Sequence, residues 1–172
     1  MSAENLSGIE KIKQASDALR GTIKQGLADE VTGAISEEDK ALVKFHGMYL
    51  QDDRDRRDER AEKKLERLYS FMIRLRLPGG LLSAEQWLAT QDIAGEHTTG
   101  IIKITTRQTV QLHGLYKSHV KPTIQAFNEA KLHSIATCGD INRNVICSAH
   151  PRQSPVHKQV HDCILYVRRY DR

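Results

Sequence analysis

Apolar and polar positions alternate most cleanly between Ile101 and Gly114. Up to Ile104, and again from Thr109, successive residues switch character, as they do in a half-buried strand whose side chains point to opposite faces in turn. Ile102, Ile104, Val110 and Leu112 share one parity; Lys103, Thr105, Arg107, Thr109, Gln111 and His113 share the other. Two strands joined tightly near Thr106–Gln108 would give a hairpin with one aliphatic face and one face of cations and hydrogen-bond donors. The same alternation runs from Phe71 to Leu77. There Phe71, Ile73, Leu75 and Leu77 interleave with Met72, Arg74 and Arg76 before Pro78-Gly79-Gly80 ends the strand. Between the two lies a helix: Ser83 with Gln86 has capping-box spacing, Ala84, Trp87, Leu88 and Ala94 give an apolar stripe, and Gly95 can end it in the left-handed conformation. Val120, Ile124 and Phe127 mark a second helix, with Pro122 tolerable in its first turn. Lys131 to Thr137 is a weakly patterned fourth strand. The order βαββαβ is the ferredoxin-like arrangement of the α+β class, with both helices over the aliphatic face and the arginine face left open.

Upstream the pattern is helical. Ser7-Gly8-Ile9-Glu10 has capping-box spacing, and Ile9, Ile12, Leu19, Ile23 and Leu27 roughly follow one stripe, so residues 1–28 read as an amphipathic helical arm packed on the main body. Residues 28–40 read as a polar linker, and Ala41–Tyr49 as a short strand ending at Gly47. From Asp52 to Arg67 seven acids face seven bases, so this stretch is neutral and reads as a solvated helix with Asp52/Arg56, Asp53/Arg57 and Glu59/Lys63 pairs. These elements divide the chain into an arm with a charged segment (1–67), the α+β unit (68–137) and a loop-rich end (138–172).

Composition narrows the picture modestly. A 172-residue chain with 39% hydrophobic and 28% charged residues suits one modest core with solvated flanks. The formal charge of +4 does not by itself call for nucleic acid, so the placement of the cations matters more. Cys138, Cys147 and Cys163 are odd in number and contain no CxxC pair, which argues against a disulfide framework or a zinc site. With no signal peptide before Leu6 and no run near the ~20 apolar residues of a membrane span, a cytoplasmic location without membrane contact is the expectation.

The polar face carries the chemistry. Arg74, Arg76, Lys103 and Arg107 converge with no acid among them, whereas a merely solvated face mixes signs. A second anion-binding signal is Gly139-Asp140-Ile141-Asn142-Arg143-Asn144, a turn rich in amide and guanidinium donors, anchored by Val145-Ile146. Arginine suits a polyoxyanion because its planar fork binds two oxygens at once and stays charged. A basic βαββαβ sheet is also the outline of an RNA-recognition module, but that module stacks bases on aromatics of its central strands. Ile101–Gly114 has no Phe, Tyr or Trp, so an anionic cofactor or small oxyanion fits better than RNA.

Several segments together resemble a known family. Phe45-His46-Gly47-Met48-Tyr49-Leu50-Gln51-Asp52-Asp53-Arg54-Asp55, Arg76-Leu77-Pro78-Gly79-Gly80, Thr106-Arg107-Gln108-Thr109, Gln111-Leu112-His113-Gly114 and Asp140-Ile141-Asn142-Arg143-Asn144-Val145 resemble the sirohaem-dependent sulfite and nitrite reductases. The first is most similar to the haemoprotein subunit of the assimilatory NADPH-dependent sulfite reductases. The resemblance spans Leu19 to Pro151 and fades from Arg152 on. It implies a ferredoxin-like half-domain. It also implies an oxidoreductase that takes sulfite to sulfide in six electrons, at a sirohaem coupled to a [4Fe–4S] cluster. Nitrite reduction is the alternative within the family. By position Arg74 and Arg143 match the substrate-binding arginines. Lys103, Arg107, Gln111 and His113, with Asn142 and Asn144, match groups around the sirohaem. The implied electron donor is an NADPH-dependent flavoprotein subunit or a ferredoxin. The family's cluster cysteines lie downstream of its matching motifs, so the resemblance implies no metal ligand in this chain. The chain is expected to be an amino-terminal part of such an enzyme, incomplete and inactive by itself.

Overall fold

The fold is described from a computed structural model, for residues 6–139 and 142–170. The arm is a broken helix, not a continuous one. It comprises α1 (Gly8–Ala15), a 3-10 turn (Asp17–Leu19) and α2 (Ile23–Ala28). Ser7 caps α1, its hydroxyl accepting the Glu10 N–H at 3.3 Å. The break falls where Ala18 and Leu19 take left-handed φ values of 48° and 57°. Leu19 is held there by His46, whose Nε2 meets the Leu19 carbonyl at 2.8 Å. Despite the break, Ile12, Leu19, Ile23 and Leu27 all pack against the one core, as their shared stripe implies.

The expected linker contains a helix, α3 (Glu37–Leu42). Ser36 caps it, accepting the Asp39 N–H at 3.1 Å. Asp39, which reads as one more surface acid, is buried at 1% exposure. Its carboxylate accepts from Thr22 N–H at 2.9 Å and Thr22 Oγ1 at 2.7 Å, tying α3 to the arm. The strand expected over Ala41–Tyr49 is instead the end of α3 and a 3-10 turn (Val43–His46). Gly47 precedes a strand instead of ending one: β1 runs Met48–Asp52. The charged segment forms only a short helix, α4 (Arg57–Glu62). Glu59 and Lys63 pair as expected at 2.7 Å. Asp52 is gripped by Arg57, not Arg56, with Nη2 on Oδ1 at 2.7 Å, which holds the Asp52 carboxyl below its ordinary range.

The α+β unit follows as β2 (Tyr69–Arg74), α5 (Ala84–His97), β3 (Ile102–Ile104), β4 (Val110–Leu115) and α6 (Val120–Glu129). The sheet is antiparallel throughout, in the order β1-β2-β4-β3. This is the ferredoxin-like α+β class expected, with one strand in a different place in the chain. Lys131–Thr137 does not form the fourth strand; β1 does. β2 has two edges, one taken by β4 and the other by β1 through the Met48/Ile73 register. Residues 131–137 then curl beneath that edge, with Lys131 and Ala136 in left-handed turns. Within this stretch His133 still meets the chain just past β2, its carbonyl accepting the Arg76 N–H at 2.8 Å.

Register separates the faces. Ile73, Leu112 and Ile102 stand opposite one another across three strands, and so do Arg74, Gln111 and Lys103 in the next row. Phe71, Ile73, Leu75, Leu112 and Leu115 are fully buried and join Ile93, Ala94, Val120 and Phe127 of the two helices in one core. Each such side chain contributes roughly 1.5–3 kcal/mol when fully buried. The Ser83/Gln86 capping box is present on α5. Trp87 and Leu88 nevertheless lie on its exposed side, whereas Thr90, Ile93 and Ala94 form the buried stripe. The helix also runs past Gly95 to His97. Beyond 142 an extended loop leads to α7 (Pro155–Tyr170), whose Ile164 packs by Gly79.

Candidate anion-binding site

The parity derived from the sequence places the cations where it should. Arg74 on β2, Gln111 on β4 and Lys103 on β3 form one row on the face away from α5 and α6. The Gln111 amide, turned to satisfy both neighbours, links this row to His113. Its oxygen accepts from Arg74 Nε at 2.8 Å and from Arg74 Nη2, and its nitrogen donates to His113 Nε2 at 3.2 Å. His113 Nε2 is therefore an acceptor, and the proton of the neutral ring sits on Nδ1. Partial burial pushes the His113 pKa below its ordinary 6.5, and the charges of Lys103 and Arg74 push it the same way.

The two arginines expected to hold the substrate grip the same short stretch of backbone. Arg74 Nη1 donates to Thr137 O at 3.1 Å, and Arg143 Nε and Nη2 donate to Gly139 O at 3.4 and 3.3 Å. Carbonyls two residues apart lie within about 7 Å of each other along the chain. Arg107 stands exposed at the hairpin tip, its Nη2 3.5 Å from Asn144 O. Among the described residues, no carboxylate pairs with Arg74, Lys103, Arg107 or Arg143.

Three residues expected on the polar face or its loop are instead turned inward. Thr109 is buried and donates to Leu75 O, and Met72 is buried opposite Tyr49. Asn144 does not present its amide to the open face; it is 4% exposed and wholly engaged with backbone. Asn142 is exposed. Asp140 and Ile141 of the same motif lie outside the described residues. Thr137, unmarked in the sequence, proves central: its hydroxyl donates to Ser134 O at 2.8 Å and lies 3.0 Å from Arg74 O. Nothing in its local pattern reveals this, because both partners are backbone atoms distant in sequence or in a turn.

Two clefts among the described residues lie away from the Arg74–Gln111–Lys103 row. One of about 700 Å³ runs between the Pro78–Gly80 turn, the start of α5 and residues 148–151. Another of about 610 Å³ lies between α2 and α6. Cys138 is buried, Cys147 half-buried and Cys163 exposed, all as free thiols. Among the described residues no three His, Cys, Asp or Glu side chains converge as a metal site, and no helix is long and apolar enough to cross a membrane.

Residues 64–130 match the model of the nitrite/sulfite reductase ferredoxin-like half domain. The chain is also 62% identical over 151 residues to the sulfite reductase [NADPH] hemoprotein beta-component of Leptospira biflexa serovar Patoc, covering 88% of this chain and 27% of that protein. The chain belongs to the nitrite and sulfite reductase family. A Staphylococcus saprophyticus protein of the same description is 53% identical over 168 residues, 98% of this chain and 30% of its own length. Because that match leaves out four residues, it extends well past Arg152, where the motif-based resemblance fades. The structure of the Mycobacterium tuberculosis NirA protein superposes on the family fold seen here with a TM-score of 0.71 and 28% identity, over 88% of this chain and 29% of that one. The chain thus spans between 27% and 30% of the length of these family members.

Proposed function

We propose that this chain provides the cationic face on which a sulfite reductase haemoprotein holds the carboxylates of sirohaem and its oxyanion substrate. One observation carries the reading: the row Arg74–Gln111–Lys103, joined to a neutral His113 and unbalanced by any acid among the described residues. The donor set fits a polycarboxylated tetrapyrrole, since guanidinium, ammonium and amide groups all donate and none competes for protons. Lys103, Arg107, Gln111 and His113 of the hairpin would hold the carboxylates, with Asn142 on the loop that carries Arg143. Arg74 and Arg143 would hold sulfite, their forks supplying fixed positive charge to its oxygens, and the same forks can take carboxylate oxygens of a polycarboxylate probe. When bound, sirohaem supplies the redox chemistry, and the protein's part is position and electrostatics. The relatives' description as the beta-component of an NADPH enzyme supports an NADPH-dependent flavoprotein as electron donor over a ferredoxin.

His113 supplies the test. Its folded-state pKa lies below 6.5, so folding disfavours its protonation, and stability falls as pH drops below about 6.5 toward the lowered value. A carboxylate docked beside Lys103 reverses the local field and raises the His113 pKa. Binding of uroporphyrin, a soluble polycarboxylate surrogate, is therefore expected to tighten as pH falls from 7.5 to 6 and to take up a proton. A His113→Gln variant should lose that pH dependence. An unchanged pH profile in that variant contradicts the role given to His113.

A second expectation concerns the 172-residue chain itself. A [4Fe–4S] cluster needs four ligands, normally thiolates, and this sequence has three dispersed cysteines. After anaerobic cluster reconstitution, with reduced viologen as donor, the chain should yield no sulfide from sulfite above the free-cofactor control. Sulfide above that control contradicts the expectation.

A further inference from the structure

Two side-chain amides tie three backbone segments together beside the arginine face. Leu77 N–H donates to Asn144 Oδ1 at 2.9 Å, while Asn144 Nδ2 donates to Arg107 O at 2.9 Å and Gln108 O at 3.4 Å. Gln108 returns the contact: its Oε1 accepts from Cys147 N–H at 3.0 Å and its Nε2 donates to Cys147 O at 2.6 Å. Alongside them Gly79 N–H donates to Val145 O at 2.8 Å. Each amide therefore holds the backbone of the other's segment.

Gln108 stands where a glycine would sit more easily. Gln108 has a φ of 54°, a left-handed conformation that favours glycine or asparagine. Its Cβ also comes so close to Gly80 that a Cβ there would sit 3.0 Å away. The turn itself calls for a left-handed residue here, with Gln108 N–H donating to Thr105 O at 3.1 Å and Thr105 N–H to Thr109 O at 2.8 Å, and a glutamine in place of glycine adds the two bonds to Cys147.

We infer that Asn144 and Gln108 form a reciprocal clamp that fixes the hairpin tip to the 142–147 loop, so that Arg107 and Arg143 present one pre-organised anion-binding edge. Arg107 reaches Asn144 O from the tip, and Arg143 adjoins Asn144 in the chain. Without the clamp these are two long side chains on separate loops, and a ligand must order both on binding. With it, that ordering is complete in the folded protein. Asn144 and Gln108 are thus positioning residues that act through the two arginines. The inference rests on the reading of this face as a polycarboxylate site.

The test is a uroporphyrin titration of the full chain, paired with amide hydrogen exchange. Asn144→Asp keeps the acceptor for Leu77 but removes both donors to the hairpin tip. Gln108→Gly removes both bonds to Cys147 while relieving the left-handed backbone, so the fold is not at risk. Each variant is expected to bind uroporphyrin about tenfold more weakly. In a chain already carrying Arg107→Ala and Arg143→Ala, adding Asn144→Asp should cost no further affinity. The Cys147 amide should exchange faster in Asn144→Asp, although Asn144 does not touch it. Unchanged affinity in both variants, or a loss that adds in full to the arginine double variant, overturns the clamp as a positioning device. If the unaltered chain does not bind uroporphyrin, the polycarboxylate reading fails, and exchange alone decides the clamp. Faster Cys147 exchange in Asn144→Asp then supports it and unchanged exchange overturns it.

Discussion

Replacing Gly47 by alanine is expected to lower the melting temperature by about 10 °C, the largest stability effect of any single methyl group in this fold. Gly47 has a φ of 79°, and a Cβ there would fall 2.0 Å from Ser134 O and 2.5 Å from Thr137 Oγ1. The left-handed backbone costs an alanine about 1 kcal/mol, and forcing the 134–137 segment away costs roughly 2 kcal/mol more. The damage reaches the site as well. Gly47 O accepts the Arg74 N–H at 2.9 Å, and Thr137 O accepts from the Arg74 side chain. Thermal unfolding by circular dichroism checks the effect; a change of less than 2 °C contradicts the packing described around Gly47.

Arg74→Ala is expected to weaken uroporphyrin binding about thirtyfold while leaving the fold intact. A hydrogen bond to a charged partner is worth roughly 1.5–3 kcal/mol, which brackets that factor. Arg74 is half-buried and also orients Gln111, so its loss removes a donor and frees the amide that serves His113. Arg54→Ala, an exposed arginine between β1 and α4, is the control and should bind as the unaltered chain does. Fluorescence titration of both variants reads the difference. Equal affinities would mean that the face acts only through its overall charge.

The face was legible in the sequence because period-two alternation survives folding: strand geometry alone sends Arg74, Lys103 and Gln111 to one side and Ile73, Ile102 and Leu112 to the other. The capping boxes at Ser7 and Ser83 were legible only as starts; the Ser83–Gln86 pairing is reciprocal, while Glu10 turns to Lys13. What local pattern could not give was competition between distant segments. Residues 131–137 and 48–52 both suit the free edge of β2, and Gly47 with Met48 takes it, leaving the later segment to cap Arg74 through Thr137. Asp39 reads as solvated because its partner Thr22 lies 17 residues away. Asn144 reads as a ligand donor for the same reason: its three bonds are all to backbone far along the chain, and no spacing rule points to them.

A parallel titration of the chain with uroporphyrin and with single-stranded RNA at physiological salt decides which ligand the arginine face takes. Micromolar tetrapyrrole binding that weakens when Arg107 becomes Ala is expected, with no comparable RNA binding, because the face carries cations without stacking aromatics. Micromolar RNA binding that weakens with Arg107→Ala, in a chain that binds no tetrapyrrole, would contradict it.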